Sequence, residues 1–203
     1  MMEKIRSNPK TSDNNYSAYL EGSGKVWWKQ ILDVQWPYRW HIRSLQPGYT
    51  LDLGCGTGRN LLHLEGNGVG VDHNPLSVEI ASRKGLQCFT NQGFKKSEFY
   101  CKGLFDTILL SHVAEHMEES QVVNLLTEHL PLLKSKGRVI MITPQEKGFR
   151  SDPTHIQYIY FIVLDRILQY LNLETEKQYS FPFPLVLGKI FTYNEFIMIT
   201  WKM

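Results

Sequence analysis

The segment TLDLGCGTGRNLLHL, residues 50–64, constrains the fold more than any other part of the chain. An apolar, strand-like stretch runs into three glycines, Gly54, Gly56 and Gly58, and then into a helix-like pattern. Glycine adopts backbone conformations that other residues avoid, and it lets a ligand approach the main chain closely. A strand, a glycine-rich turn and a helix in this order predict an α/β domain with a ligand-binding loop at the end of its first strand.

Strand-like and helix-like segments alternate along the rest of the chain, which predicts right-handed crossovers and a parallel sheet. The pattern predicts five successive strands, at residues 49–54, 68–73, 86–91, 105–113 and 137–144. Helices are expected between them at residues 58–64, 75–85 and 119–134. After residue 154 the pattern changes to a helix at residues 155–172, followed by two strands at 173–181 and 190–201.

Composition predicts one domain over residues 1–203, with a flexible polar segment at 1–17, a helical cap at 18–46 and an α/β core at 47–203. The cap holds four of the five tryptophans, as core or as a lid. The net charge of +2 argues against a nucleic-acid-binding surface. The apolar stretch YIYFIVL, residues 158–164, is far shorter than the ~20 residues of a membrane helix. Three cysteines favour a cytoplasmic protein.

The second strand ends at Asp72, where an acidic residue can accept hydrogen bonds from both hydroxyls of a ribose. A dinucleotide site needs the spacing GxGxxG, but Arg59 stands where its third glycine belongs. No GK[ST] follows, so the loop is not a P-loop either. The residues therefore predict a nucleoside-containing cofactor other than a dinucleotide.

With LDLGCGTG, VGVD and FDTILLSHVAEHM, the chain resembles the class I S-adenosylmethionine-dependent methyltransferases. It is most similar to their small-molecule branch, which includes the ubiquinone/menaquinone-type and methyltransferase type 11-like enzymes. The resemblance covers residues 47–144 and implies a Rossmann-like, doubly wound, seven-stranded and mostly parallel sheet. Its last strand would be antiparallel, and an N-terminal helical cap would precede it.

The resemblance also implies the cofactor contacts. The methionine part of S-adenosylmethionine would lie against Asp52, Gly54, Cys55 and Gly56. Asp72 would bind the ribose, with His73 beside the adenine. Asn91 is only a candidate for the adenine amino group, because the acidic residue common there in the family is missing. Ser111 and His112 would close the pocket, and S-adenosylhomocysteine would be the product.

SHVAEH stands where nucleobase-amine methyltransferases carry an [ND]PP[FY] motif, which argues against DNA adenine or cytosine-N4 targets but does not exclude an RNA. The acceptor is expected to be a small molecule. This expectation rests on family analogy. A base, if the acceptor needs one, would come from the ligand-side edge of the sheet. His116 is slightly preferred over His155, because an unperturbed imidazole titrates near pH ~6.5. Glu115 and Asp152 are the other titratable groups there. Each of these groups could instead have a purely structural role.

Two further hypotheses come from other classes of protein. The chain could bind the cofactor without catalysis. Alternatively, His112-x-x-Glu115-His116 matches the HxxEH motif of one class of zinc peptidases. That chemistry needs both histidines on one helical face, whereas His112 directly follows a predicted strand. The sequence therefore predicts no metal site.

Overall fold

A computed structural model describes residues 36–202 of the chain. Within this range, seven strands form one sheet in the order β3-β2-β1-β4-β5-β7-β6. Six strands run parallel to one another, and β7 is antiparallel to both of its neighbours. The strands are β1 Thr50–Leu53, β2 Gly68–Asp72, β3 Cys88–Thr90, β4 Phe105–Ser111, β5 Leu133–Pro144, β6 Leu173–Phe181 and β7 Glu195–Lys202. The predicted fold class is confirmed.

Helices flank both faces of this sheet, each where the local sequence favours one. In the clearest case Asn74 caps a helix that begins at Pro75, and its side chain accepts hydrogen bonds from the amides of Leu76 and Ser77. The α-helices are α1 Trp36–Ser44, α2 Arg59–His63, α3 Pro75–Arg83, α4 Asn91–Lys95, α5 Glu119–His129, α6 Glu146–Phe149 and α7 Phe161–Tyr170. Short 3₁₀ turns cover Ala114–His116, Leu130–Leu132 and Leu185–Lys189.

The central strands are buried on both faces, as their nearly continuous apolar runs require. On one face α5 and α7 pack against the sheet through side chains such as Leu126 and Ile167. On the other face Ile42 of α1 packs against Leu109 and Ile140. These layers fix the carboxyl ends of β1, β2, β4 and β5 along one edge, where the loops that follow them meet.

The predicted helix at residues 155–172 is wrong over its first six residues, because α7 begins only at Phe161. Tertiary hydrogen bonds hold the preceding segment in an irregular path. The amides of Ile156 and Gln157 both donate to the carbonyl oxygen of Glu115, and Thr143 Oγ1 donates to the carbonyl of Ile159. These bonds replace helical ones, so apolar periodicity alone misassigned the segment.

Several other predictions differ from the structure at their edges. The helix predicted at residues 119–134 ends at His129, and the strand predicted at 190–201 begins only at Glu195. Strand β4 ends at Ser111 rather than Val113, and β5 begins at Leu133 rather than Gly137. The described part of the predicted helical cap contains α1. The rest of the cap, residues 18–35, lies outside the described residues together with the segment 1–17. No helix in the described range is both long and apolar enough to cross a bilayer.

Candidate active site

The loop between β1 and α2 holds Gly54, Gly56 and Gly58 at φ angles of +74°, +53° and +83°. A Cβ atom on Gly54 would clash with Val113, and one on Gly58 would clash with Leu86. A Cβ on Gly56 would meet no atom of residues 36–202 within 4 Å. The first and third glycines therefore allow close packing within the protein. Only the middle one opens onto free space, where a ligand can approach the backbone.

Asp72, at the end of β2, is held by the backbone of this loop and of the next helix. Its Oδ2 accepts a hydrogen bond from the amide of Gly56, and its Oδ1 accepts one from the amide of Asn74, both at 2.8 Å. Each oxygen keeps a second lone pair for a ligand. His73 Nδ1 lies 3.5 Å from Oδ1, and its side chain is about half exposed. The carboxylate is therefore oriented before any ligand binds.

A cleft of about 470 Å³ lies above the glycine loop. Eight of the nine predicted cofactor residues line it: Gly54, Cys55, Gly56, Asp72, His73, Asn91, Ser111 and His112. Sequence reasoning missed Arg59, Asn60 and Asn74, which also line it. Arg59 and Asn60 open helix α2, and their position directly after the glycine loop was the one signal that could have found them.

The ninth predicted residue, Asp52, lies fully buried in β1 and does not line the cleft. Its Oδ1 accepts a long hydrogen bond of 3.4 Å from Asn60 Nδ2, whereas its Oδ2 has no hydrogen-bond partner among the described residues. Burial raises the pKa of Asp52 to about 7, against weaker lowering by Asn60 and Arg59. Asp52 therefore contacts the cleft wall through Asn60, and its other oxygen is unsatisfied among the described residues.

Cys55 shows no sign of a nucleophile. A hydrogen bond to Cys88, with the two Sγ atoms 4.0 Å apart, raises the pKa of the Cys55 thiol, and burial raises it further. The thiolate is the reactive form of cysteine, so a thiol held protonated is inert. Cys55 is a small buried residue beside the glycine loop.

A second cavity, of about 300 Å³, adjoins the cleft and shares part of its wall. The residues common to both are Arg59, Asn60, Ser111, His112 and His116. Its remaining wall comes from α1, from the loop after β5 and from the segment that leads into β7. The residues of this remaining wall include Tyr38, His41, Ser151, Asp152, His155, Asn194 and Glu195.

Sequence reasoning did not predict Asn194 and Glu195. Antiparallel pairing of Glu195 with Pro144 brings the start of β7 to the ligand side of the sheet. The fully buried Asn194 then donates to Gln145 Oε1 and to Ser180 Oγ. These contacts cross from the end of one strand to another, so no local sequence pattern signals them.

His112 stands between the two cavities with a φ of +57°, which is uncommon for a residue other than glycine. Its Nε2 lies 2.8 Å from Glu195 Oε1, and its Nδ1 lies 3.3 Å from Glu115 Oε1. Burial disfavours the charged ring, but the two carboxylates outweigh it and raise the pKa of His112 to about 9. His112 is therefore an imidazolium at neutral pH, and both of its ring nitrogens are donors.

His116 and His155 are neighbours, with ring centroids 4.8 Å apart. His116 Nδ1 lies 3.2 Å from the carbonyl oxygen of Thr154, and His155 Nδ1 lies 2.8 Å from that of Phe149. Burial lowers the pKa of His116, so its ring is neutral near pH 7. The structure thus brings together the two predicted catalytic histidines, although they are 39 positions apart in the chain.

Asp152 shapes the loop that carries His155. Its Oδ1 accepts hydrogen bonds from the amide of Thr154 at 2.9 Å and from Thr154 Oγ1 at 2.7 Å. Asp152 is therefore a turn residue, and it caps no helix, since α7 begins nine residues later. Thr154 in turn contacts His116, so Asp152 holds the loop against that imidazole.

The HxxEH zinc-peptidase hypothesis fails on geometry. That motif needs its two histidines one turn apart on a helix, but Ala114–His116 is a 3₁₀ turn and His112 precedes it in a left-handed conformation. His112 instead pairs with the carboxylates of Glu115 and Glu195.

The fold and the site define an α/β domain with two adjoining cavities at the carboxyl edge of its parallel strands, the larger of them lined by a glycine-rich loop and an acidic residue. The description of the family whose model matches residues 29–179 is "Methyltransferase domain". Because the match spans most of the chain, the protein belongs to this methyltransferase-domain family. The predicted family is confirmed.

Solved structures support the same fold. An S-adenosylmethionine-dependent methyltransferase from Archaeoglobus fulgidus is 17% identical, with a TM-score of 0.62 over 94% of this chain and 100% of that one. A putative methyltransferase of Haloferax volcanii, in complex with the activator Trm112, is 16% identical, with a TM-score of 0.67 over 96% of this chain and 99% of that one. The Burkholderia thailandensis 1,6-didemethyltoxoflavin-N1-methyltransferase, with bound 1,6-didemethyltoxoflavin and S-adenosylhomocysteine, is 17% identical. Its TM-score is 0.58 over 97% of this chain and 93% of that one. No curated protein matches the sequence.

Proposed function

We propose that this protein is a methyltransferase that uses S-adenosylmethionine to methylate a small molecule. The observation that carries the proposal is the pair of adjoining cavities, which meet at Ser111, His112 and His116. The larger cavity has the glycine loop and the acidic residue expected of a nucleoside cofactor site. The smaller one gives an acceptor direct access to that site. Family membership makes methyl transfer the reaction that fits this arrangement.

In this proposal the cofactor occupies the 470 Å³ cleft. The ribose hydroxyls bind the two free lone pairs of Asp72, and the adenine lies between His73 and Asn91. The methionine part lies over Gly54, Cys55 and Gly56, with its ammonium directed toward the unsatisfied oxygen of Asp52. A buried carboxylate oxygen without a hydrogen-bond donor among the described residues is a feature that a cationic ligand group would satisfy.

The acceptor occupies the 300 Å³ cavity. Its volume and its enclosure by α1 and by the loop after β5 suit a small molecule better than a polymer. The net charge of +2 supports the same choice, because it gives no broad positive field for nucleic acid. The similar Burkholderia thailandensis enzyme also acts on a small molecule.

His116 and His155 are the residues we assign to activation of the acceptor. Each uses Nδ1 toward a backbone carbonyl, which leaves Nε2 as the nitrogen available at the cavity. The acceptor R–XH loses its proton, and the heteroatom attacks the methyl carbon in line. The carbon–sulfur bond breaks with its electrons staying on sulfur, which yields R–X–CH₃, S-adenosylhomocysteine and a proton. Holding the reactants in line supplies much of the rate.

We place the protein in the cytoplasm, where the neighbouring thiols of Cys55 and Cys88 would stay reduced. The test of the proposed function is a mass-spectrometric screen of the full chain with S-adenosylmethionine and an acceptor library. The expected result is a product 14 mass units heavier than its acceptor, together with S-adenosylhomocysteine. Cofactor binding with no turnover on any acceptor would instead indicate a binding protein. If S-adenosylmethionine does not bind, the proposed function is wrong.

A further inference from the structure

Three side chains from distant parts of the sequence converge beside the acceptor cavity: Glu115, His116 and His155. One ligating atom from each lies within 4.8 Å of the other two. Glu115 and His116 belong to the 3₁₀ turn after β4, and His155 belongs to the loop after β5. Two imidazoles and one carboxylate are a donor set that divalent transition metals prefer.

Both imidazoles are arranged as metal ligands usually are. A ligating histidine donates its other ring N–H to a carbonyl or carboxylate, which fixes the tautomer and the ring orientation. Here the Nδ1 atoms of His116 and His155 lie 3.2 and 2.8 Å from the carbonyl oxygens of Thr154 and Phe149. Thr154 Oγ1 donates to Asp152, so it does not supply a proton to His116. Each imidazole therefore carries its proton on Nδ1 and has a lone pair on Nε2.

Glu115 supplies an independent observation. Its side chain is 0% exposed, and its Oε2 has no hydrogen-bond partner among the described residues. A carboxylate buried in this way is costly unless a cation neutralises it or a donor satisfies it. His112 Nδ1 lies 3.3 Å from Oε1, and His155 Nε2 lies 3.9 Å from the same oxygen. A carboxylate has two oxygens, so an ion pair with His112 leaves Glu115 able to bind a metal as well.

We infer that Glu115, His116 and His155 bind one divalent transition-metal ion of the Zn²⁺ type, through a carboxylate oxygen and the two Nε2 atoms. Imidazole nitrogens that bind zinc at ~2.0–2.1 Å in a tetrahedral site lie ~3.3 Å apart, so side-chain shifts of about 1 Å close the cluster around an ion. Three protein ligands leave a coordination position open, as in catalytic zinc sites. His116 and His155 line the acceptor cavity, so that position faces the acceptor.

This inference rests on the proposed function and specifies its acceptor as a molecule with a hydroxyl group. The hydroxyl oxygen binds the metal, which lowers the pKa of the hydroxyl and lets its proton leave to solvent. The bound oxygen then attacks the methyl carbon, and the sulfur keeps the electrons of the broken bond. The imidazoles act as ligands in this arrangement, and the metal takes over the activation that a base would otherwise provide.

The test titrates Zn²⁺, and separately Co²⁺, into the metal-stripped full chain by calorimetry, with the visible spectrum of Co²⁺ as a second readout. One ion per chain is expected to bind. Glu115→Gln and His155→Gln should each weaken binding by more than ~100-fold, since even a lost supporting hydrogen bond costs ~10–100-fold. The control is His73→Gln, which removes a half-exposed histidine outside the cluster and should bind Zn²⁺ like the wild type.

Circular dichroism of each variant tests whether it folds. Because Glu115→Gln and His155→Gln are tested independently, the inference stays testable if one of them does not fold. Absence of Zn²⁺ and Co²⁺ binding to the wild type would overturn the inference, as would unchanged affinity in both folded variants. Titration of S-adenosylmethionine into the wild type separates the two proposals. Cofactor binding without metal binding overturns only the metal site, whereas metal binding without cofactor binding overturns the proposed function.

Discussion

Replacing Asp52 with asparagine should make the cofactor-free protein more stable at neutral pH while weakening cofactor binding. The Asp52 carboxyl is fully buried, one of its oxygens has no partner in the described range, and burial raises its pKa from 3.8 to about 7. This difference corresponds to about 4 kcal/mol of cost to the folded state once Asp52 is ionised. Asparagine removes the charge but leaves an unpartnered amide, which costs about 1–3 kcal/mol. The expected net gain at pH 8 is about 1–3 kcal/mol.

The pH dependence has a definite sign. Between pH 3.8 and about 7 the unfolded chain has released the Asp52 proton, and the folded chain has kept it. The stability contributed by the raised pKa is therefore present at low pH and is lost as the pH rises to about 7. From pH 5.5 to pH 8 the wild type should lose about 2 kcal/mol relative to Asp52→Asn. Urea unfolding of both proteins at the two pH values measures this change.

Calorimetry tests the second part of the prediction, the effect of Asp52 on cofactor affinity. A cationic group of the cofactor favours the ionised carboxylate, so binding to the wild type should weaken below pH 7 by up to about 10-fold per pH unit. Asp52→Asn should bind weakly with little dependence on pH. Relative stabilities that stay constant between pH 5.5 and 8 would refute the assignment of a raised pKa. Equal cofactor affinity in the two proteins would remove Asp52 from the site.

Three further predictions concern the two cavities. Asp72→Ala should weaken S-adenosylmethionine binding by about 1.5–3 kcal/mol in calorimetry, because a charge-assisted hydrogen bond is lost; unchanged affinity would exclude Asp72 from the site. Gly56→Val should abolish binding. The control is Gly103→Val, which has a similar φ of +65° and no described residue within 4 Å of an added Cβ; it should be no more stable than Gly56→Val and yet keep the wild-type affinity. Replacing His116 or His155 by alanine should lower turnover by ~10²–10⁴-fold with little change in cofactor affinity; wild-type rates in both would show that neither acts on the acceptor.

Local sequence patterns together with the family resemblance predicted most of the fold and most of the named residues that line the larger cleft. The glycine loop and Asp72 each follow a strand directly, and the carboxyl ends of adjacent parallel strands necessarily meet. Eight residues that were predicted from their places after successive strands therefore line the same cleft. Asp52 shows the limit of this reasoning, because a residue inside a strand can lie near a site without lining it.

The acceptor side was predicted only in part, because the sequence placed His116 and His155 at the ligand-side edge but did not predict the contacts around them. His155 reaches Glu115 and His116 only because residues 155–160 leave helical geometry to hydrogen-bond with the turn after β4. Apolar spacing instead predicted a helix over these residues. Glu195 reaches His112 through antiparallel pairing of β7 with β5. Such contacts depend on tertiary topology, which periodicity does not encode.

The most direct test of the account is a calorimetric titration of S-adenosylmethionine into the full chain and into Gly56→Val. We predict binding of one molecule per chain to the wild type, competition by S-adenosylhomocysteine, and no measurable binding to the folded variant. Of the three glycines, only Gly56 would place an added Cβ in space that no described residue fills, and the proposed ligand occupies that space. Absence of binding to the wild type, or equal binding to both proteins, would contradict the account.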